Sequence, residues 1–280
     1  MRKLIYFTLT QDVTNRLQSN IENRWGLGDM MRGINNVHSV CLDLGYELKI
    51  VSNNHPLHSI LSLEEENSHN LNISDIKFTN FDCRESLKRY IKQIQNDVEI
   101  PVIFTNGYGY WDEKHLSKFQ SYIKPKLTLK NSITEGGCSS VHHLKEYDVL
   151  HVRLGDSALF YDNYSFPRSL LKDISKVRKP TILISDCMQF KEFCAKFPLL
   201  RPSANQAVHT GVSNTANELT QTMQDFHLLA NATTIYTYSI YGWTSGFAQS
   251  ASFIYGVPII NLKKISLTNK IKSKIKSWLK

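Results

Sequence analysis

Asp148-Val-Leu-His-Val-Arg-Leu-Gly-Asp156 is the stretch on which the fold class turns. From Asp148 to Val152 it reads as a short strand whose apolar run is broken only by His151, the pattern of a strand covered on both faces. Arg153 then arrives at the carboxyl edge of that strand, and Gly155-Asp156 turns the chain. In an open α/β sheet this edge is where ligands bind. A guanidinium fixed there suits a pyrophosphate, because its fork donates two parallel charge-assisted hydrogen bonds. The same residues also read as an Arg153–Asp156 pair that merely closes the turn.

Working outward, further strands are expected at Leu4–Thr8, Glu47–Val51, Pro101–Thr105, Thr181–Ser185, Thr234–Ser239 and Val257–Ile260. Helices are expected at Met30–Leu44, Glu85–Asn96, Glu113–Ile123, Met188–Lys196, Glu218–Ala230, Gly246–Tyr255 and Lys270–Leu279. Strand–helix alternation along the whole chain predicts an α/β protein with mainly parallel sheets. Its 280 residues suit two Rossmann-like domains with a cleft between them. The irregular stretch Lys126–Lys145 places the boundary near 140, giving domains over 1–140 and 141–280. The polar stretch Asn53–Asn80 reads as an insertion or loop.

The net charge of +8 would suggest nucleic acid until it is located. Lys263, Lys264, Lys270, Lys272, Lys274, Lys276 and Lys280 stand in a C-terminal segment without an acid, which leaves the remaining body almost neutral. A groove neutralising many phosphates is therefore not expected. Within the basic segment, Ile271, Ile275, Trp278 and Leu279 form one narrow apolar stripe at helical spacing. It suits packing on the body of the protein, with weak membrane-surface association as the alternative. No apolar run approaches the ~18 residues of a membrane span. The apolar run Leu4–Phe7 is too short for a secretory leader, and the five cysteines lack C-x-x-C spacing, so a reduced, cytoplasmic chain is expected.

Three further motifs carry chemistry. Ile235-Tyr-Thr-Tyr-Ser-Ile-Tyr-Gly-Trp-Thr-Ser-Gly-Phe-Ala248 reads as a strand ending near Ser239, a hydroxyl-rich turn, and a helix opening at Gly246. Thr244, Ser245 and the first N–H groups of that helix make an anion site, or Ser245 simply caps the helix. Trp25-Gly-Leu-Gly-Asp-Met-Met-Arg-Gly33 has its third glycine two positions late for a dinucleotide fingerprint, and no acid follows the next strand. Nicotinamide binding is thus disfavoured; Gly26 and Gly28 form a loop opening a helix, with Asp29 as a helix cap or as a base. Ser185-Asp186 ends a strand, where the carboxylate accepts from a ribose or base edge, or caps the next helix. No D-x-D occurs, so the carboxylate pair that holds a divalent cation against a nucleotide diphosphate is absent from the sequence. The adjacent His142-His143 reads as loop.

His151-Val-Arg153-Leu-Gly155-Asp156 resembles the H-x-R-x-G-D motif of the fucosyltransferase-like group of GT-B glycosyltransferases. Ser185-Asp186 is similar to the S-D that follows in that group, and Asp225–Ala230 with Ser245–Ala251 resembles its donor-gripping closing segment. The resemblance covers about Asp148 to Pro258. It implies a GT-B fold, with 1–140 on the acceptor side and 141–280 binding the nucleotide-sugar, and an inverting enzyme that needs no metal or other cofactor. The donor-binding residues it implies are Gly26, Gly28, His151, Arg153, Asp156, Ser185, Asp186, Ser239, Thr244, Ser245, Gly246 and Phe247. Gly26-Leu-Gly-Asp29 is similar to the G-x-G-[ND] loop of several GT-B families, which makes Asp29 the implied general base beside a catalytic Arg153. Leu154 stands where many GDP-fucose enzymes carry a second Arg. In size the chain also resembles the small capsid-glycan glycosyltransferases of large algal viruses, among them a xylosyltransferase, which sets UDP-xylose beside GDP-fucose as donor. The rival from another class is a nucleotide- or glycan-binding module without turnover.

Overall fold

A computed structural model describes residues 3–8, 26–52, 55, 57–62, 76–78, 81, 83–94, 102–104, 110–129, 146–155, 166, 168–174, 177, 179–205, 215–241 and 243–262. The strands are β1 (Lys3–Thr8), β2 (Tyr46–Val51), β3 (Ile76–Phe78), β4 (Val102–Phe104), β5 (Asp148–Arg153), β6 (Thr181–Ser185), β7 (Leu200–Pro202), β8 (Ile235–Ser239) and β9 (Ile259–Asn261). The helices are α1 (Leu27–Leu44), α2 (Leu57–Ile60), α3 (Arg84–Ile94), α4 (Leu116–Ile123), α5 (Arg168–Ile174), α6 (Met188–Cys194), α7 (Ala216–Ala230) and α8 (Gly246–Tyr255). They build an α/β protein with two sheets, ordered β2-β1-β4-β3 and β7-β6-β5-β8-β9. Every described strand pair within them is parallel.

Parallel neighbours cannot be joined by tight turns, so the chain crosses over through helices. In the second sheet it starts at the centre with β5, steps outward to β6 and β7, then returns to lay β8 on the other side of β5. The β5/β8 junction is therefore the place where strand order reverses, the position at which open α/β sheets bind ligands outside the carboxyl ends of their strands. Arg153 and Ser239 are register partners at that junction.

Side-chain alternation along β5 sorts the core. Val149 joins a cluster that also holds Ile5, Phe7, Leu27, Ile34, Leu87, Phe119, Met223, Phe226, Ala248 and Ile254. Leu150, Val152 and Leu154 point the other way, into a smaller cluster with Leu170, Leu183, Phe190 and Leu200. His151 and Arg153 thus share the face toward α7 and α8. The first cluster is continuous from the first sheet to α8, and direct contacts fasten α4 and its surroundings to that helix. Trp111 stacks on Phe253 at 4.4 Å, and Gln120 Nε2 donates to the Phe253 carbonyl at 2.8 Å.

Several elements depart from the sequence expectation. β3 and α2 lie inside 53–80, which had read as insertion or loop, because a three-residue edge strand is too short to show periodicity. β7 ends on Pro202, tolerated because β7 is an edge strand. α5 was not expected at all. α1 begins at Leu27 rather than Met30, which moves Gly28 and Asp29 from the loop into its first turn. The basic terminal helix, the 126–145 boundary beyond residue 129, and Asp156 lie outside the described residues. Among those described, no helix is long and apolar enough to cross a membrane, and Cys41, Cys83, Cys187 and Cys194 are free thiols.

Candidate functional site

The exit of β5 is held by its neighbours. The Arg153 carbonyl accepts from Ile240 N at 3.0 Å, and its guanidinium carbon stands 5.5 Å from the centre of the Tyr241 ring. The turn that follows is clamped from β6, since Leu154 N and Gly155 N donate to the two carboxylate oxygens of Asp186 at 2.8 and 3.0 Å. Gly155 sits at φ +97, and a Cβ there would come within 2.8 Å of Ile240 Cδ1 and 2.9 Å of Tyr241 Oη. The left-handed backbone angle selects glycine here, and a larger residue would also have to push the Ile240 and Tyr241 side chains aside.

Asp186 therefore engages the backbone with both oxygens. Burial pushes its carboxyl pKa up, while those two N–H groups and the Arg153 charge pull against that push. It does not cap the following helix, whose N-cap is Cys187 without a side-chain bond. Ser185 Oγ accepts from Cys187 N at 3.2 Å, a local turn bond. Leu154 is fully buried in the smaller cluster, so the place of a second arginine is filled by core.

Behind Arg153 lies a strip of buried polar atoms. His151, packed 5.9 Å from the Phe247 ring, has no hydrogen-bond partner for Nδ1 among the described residues. Burial, helped by the Arg153 charge, lowers its pKa to about 3, so it is neutral. Its register partner Thr237 has an equally unpartnered Oγ1. Ser239 Oγ accepts from Tyr241 N at 3.2 Å, and Thr244 Oγ1 from Asn261 Nδ2 at 3.0 Å. Ser245 stands at the N-cap of α8 but makes no side-chain cap bond; its hydroxyl is buried and has no hydrogen-bond partner among the described residues.

The first half of the chain meets this corner through glycine. A Cβ on Gly28 would lie 2.6 Å from the Gly246 carbonyl oxygen and 2.8 Å from its Cα, and closer still to its carbonyl carbon. The first turns of α1 and α8 are thus in backbone contact. Each helix start has N–H groups without an intrahelical acceptor and a partial positive charge. Two of them side by side, with a buried hydroxyl that has no partner among the described residues, make a corner suited to an anion. Gly26 is the N-cap of α1, and Asp29 pairs with Arg32 one turn on, with its side chain 40% exposed. The structure thereby gathers Gly26, Gly28, Asp29, Ser245 and Gly246, while His151, Arg153 and Ser239 lie toward the ends of the adjoining strands and Phe247 of α8 packs against His151.

Sequence reading missed three things here. The aromatic pair Tyr241 and Trp243 stacks at 5.1 Å with planes 11° apart, and Trp243 is 67% exposed. The signal was present, two aromatics within the quoted 235–248 motif, but only the hydroxyls were weighed. The clamp made by Asp186 has no local signal, since its partners lie some thirty residues away. A third feature pins the loop before α4: Asp43 accepts from Arg84, Lys114 and His115 at 2.6, 2.7 and 2.8 Å, and Arg84 also pairs with Asp112. Burial opposes ionisation of Asp43, yet these partners outweigh it and hold the carboxyl below the usual range.

No protein-family model matches the chain, and no curated protein matches its sequence. Its fold is shared with solved glycosyltransferase structures. NodZ alpha-1,6-fucosyltransferase, in crystals soaked with GDP-fucose, superposes with a TM-score of 0.53 at 14% identity, over 96% of this chain and 97% of that one. Selenomethionine fucosyltransferase NodZ from Bradyrhizobium gives 0.51 at 14% identity, over 93% and 94%.

Proposed function

We propose that the chain is an inverting, metal-independent glycosyltransferase that moves fucose or xylose from GDP-fucose or UDP-xylose to a glycan acceptor. The observation that carries this is the anion corner: two helix N-termini in backbone contact and a buried hydroxyl at Ser245 with no partner among the described residues, with Arg153 at the strand-order reversal that leads into the same strand-to-helix connection. A diphosphate is the ligand whose charge and size suit that set. The likeness of fold to a fucosyltransferase that takes GDP-fucose supports the same ligand class.

On this reading 1–140 supplies the acceptor side and 141–280 the donor side of a cleft. Asp29 removes the proton from an acceptor hydroxyl, and that oxygen attacks the anomeric carbon from the face opposite the diphosphate. The bond from that carbon to the phosphate oxygen breaks, and the departing diphosphate carries the electron pair. Arg153 and the N–H groups at the starts of α1 and α8 stabilise its growing charge, the kind of contribution that dominates many catalysed transfers. Gly26, Gly28, Thr244, Ser245, Gly246 and Phe247 shape the phosphate pocket; Asp186 acts by holding the Arg153 turn. The buried Leu154, which leaves one guanidinium where many GDP-fucose enzymes have two, keeps UDP-xylose in view.

The engagement of Asp29 by Arg32 favours a second reading, a nucleotide-binding module without turnover. Thermal melting with UDP, GDP and their sugars, followed by a donor-hydrolysis assay in excess EDTA, separates the two. A ligand at ~100 times its Kd stabilises by about 2.7 kcal/mol. Stabilisation together with sugar release in EDTA supports the transferase; stabilisation without sugar release or transfer supports the module. No response to either nucleotide sinks both.

A further inference from the structure

The connection from β8 to α8 carries two aromatic rings that the phosphate corner does not use. Tyr241 lies against Arg153, and its hydroxyl is wedged beside Gly155. Trp243 stacks on Tyr241 nearly parallel, and two-thirds of it stays in contact with solvent. The indole centre is therefore no farther from the guanidinium than 5.5 and 5.1 Å laid end to end. Two residues later the chain enters the Ser245–Gly246 corner.

A single exposed aromatic is ordinary on a surface; what sets this indole apart is that it stacks on a second ring, which itself lies against Arg153. Here it is also fixed, because Tyr241 backs it and is itself held between Arg153 and the Gly155 turn. A flat, rigid, electron-rich face recognises a ring that offers its own flat face, with weakly positive C–H groups or a π system. Two such rings belong to a glycosyl transfer, the nucleobase of the donor and a pyranose of the acceptor. The surroundings favour the pyranose. A bound nucleobase is enclosed and read along its polar edge, whereas this ring is open to solvent. The nearest hydroxyl in sequence, Thr244 Oγ1, accepts from Asn261 Nδ2 at 3.0 Å. An open platform suits a ligand that continues outward as a chain.

We infer that the outer face of Trp243, backed by Tyr241, is a docking platform for a pyranose ring of the glycan acceptor. The inference rests on the transferase reading and adds an acceptor subsite to it, on the half of the chain assigned to the donor. A glycan chain held there by one ring continues along the β8–α8 connection toward the diphosphate corner, so a neighbouring sugar of that chain is the one presented to the reacting carbon.

The test uses the full chain and the variants Trp243→Ala and Trp243→Phe. Retention on an immobilised panel of gluco-, galacto-, manno- and xylo-configured oligosaccharides is measured beside calorimetric affinity for UDP and GDP. The expected result is glycan retention by the wild type, weakened about tenfold or more by Trp243→Ala and only a few-fold by Trp243→Phe. Nucleotide affinity and melting temperature stay unchanged in both variants, since the side chain is exposed. Three results overturn the platform: no glycan retained by the wild type, retention indifferent to Trp243→Ala, or a tenfold loss of nucleotide affinity with glycan retention intact. A wild type that holds glycan through Trp243 but binds neither nucleotide leaves the platform standing and removes the transferase.

Discussion

Replacing Gly28 with alanine places a methyl group against backbone, and the outcome follows from distances. The added carbon would lie 2.8 Å from Gly246 Cα, where carbon atoms rest at about 3.5–4.0 Å. Neither side can yield by a rotamer change, because both partners are main chain in helical first turns. α1 and α8 must therefore separate by roughly 1 Å, an overpacking strain of the kind that costs about 1–3 kcal/mol. The better helix propensity of alanine returns at most about 1 kcal/mol. A net loss of about 1–2 kcal/mol lowers the melting temperature by roughly 2–8 °C at 2–4 °C per kcal/mol. Separation also pulls one helix N-terminus out of the anion corner, so the stabilisation conferred by UDP or GDP shrinks. Gly246→Ala is the internal comparison: its Cβ meets Gly28 Cα at 3.6 Å, an ordinary contact, so its melting temperature stays near wild type. Melting curves of the three proteins with and without nucleotide decide the matter. If Gly28→Ala melts like the wild type and keeps the full nucleotide response, the helix starts are not a joint phosphate site.

Arg153→Ala lowers kcat for transfer by about 10²–10³, the usual effect of deleting one charge-stabilising donor, and Arg153→Lys recovers little because a point charge lacks the fork; near-wild-type turnover by the lysine variant removes the diphosphate clamp. Asp29→Asn abolishes transfer while nucleotide affinity, read by calorimetry, stays nearly constant; transfer at the wild-type rate makes Asp29 a helix-terminal residue and puts the base elsewhere. Burial lowers the pKa of His38 and His55 to about 4, and burial with Arg153 lowers His151 to about 3. The unfolded chain binds these protons first, so stability falls as pH drops below 6.5 toward 4, by up to about 1.4 kcal/mol per histidine per pH unit. Denaturant titrations between pH 7 and 4.5 show this slope, and His38→Gln flattens it; an unchanged slope assigns the acid sensitivity to other groups.

How much could be read in advance depended on the range of each interaction. β5, β6 and β8 were legible because a strand buried on both faces leaves a continuous apolar run, and β6 matches to the residue. The parallel sheets followed from strand–helix alternation. β3 and β7, three residues each, fall below the length at which a period shows. At the site, Arg153 and Ser245 stood out because an edge cation and a helix-opening hydroxyl are local patterns. Asp186 read as a ligand or a cap because its neighbours in sequence suggest nothing else. Its role as a clamp exists only because β6 lies beside β5, bringing Leu154 and Gly155 to a carboxylate more than thirty residues away. The Gly28–Gly246 contact is the extreme case, since two glycines over two hundred positions apart carry no mutual sign in the sequence.

That contact also bears on how the proposed reaction is organised. Two helix N-termini with like partial charges repel when brought together, a few tenths of a kcal/mol to about 1 kcal/mol for each end. A diphosphate between them reverses the sign of both interactions at once. Nucleotide binding and the α1–α8 contact therefore favour each other, as linkage requires. The neighbouring charges fit the same scheme. His151 is neutral in its burial, and Asp186 spends its oxygens on backbone N–H groups, so neither adds a cation or a free carboxylate beside the phosphates. Arg153 then stands as the cation at the end of β5, with the Asp29–Arg32 pair on the α1 side of the proposed corner. On this proposal a corner of backbone dipoles and the Arg153 guanidinium meets the departing diphosphate without rearranging, which is what electrostatic preorganisation asks of a site.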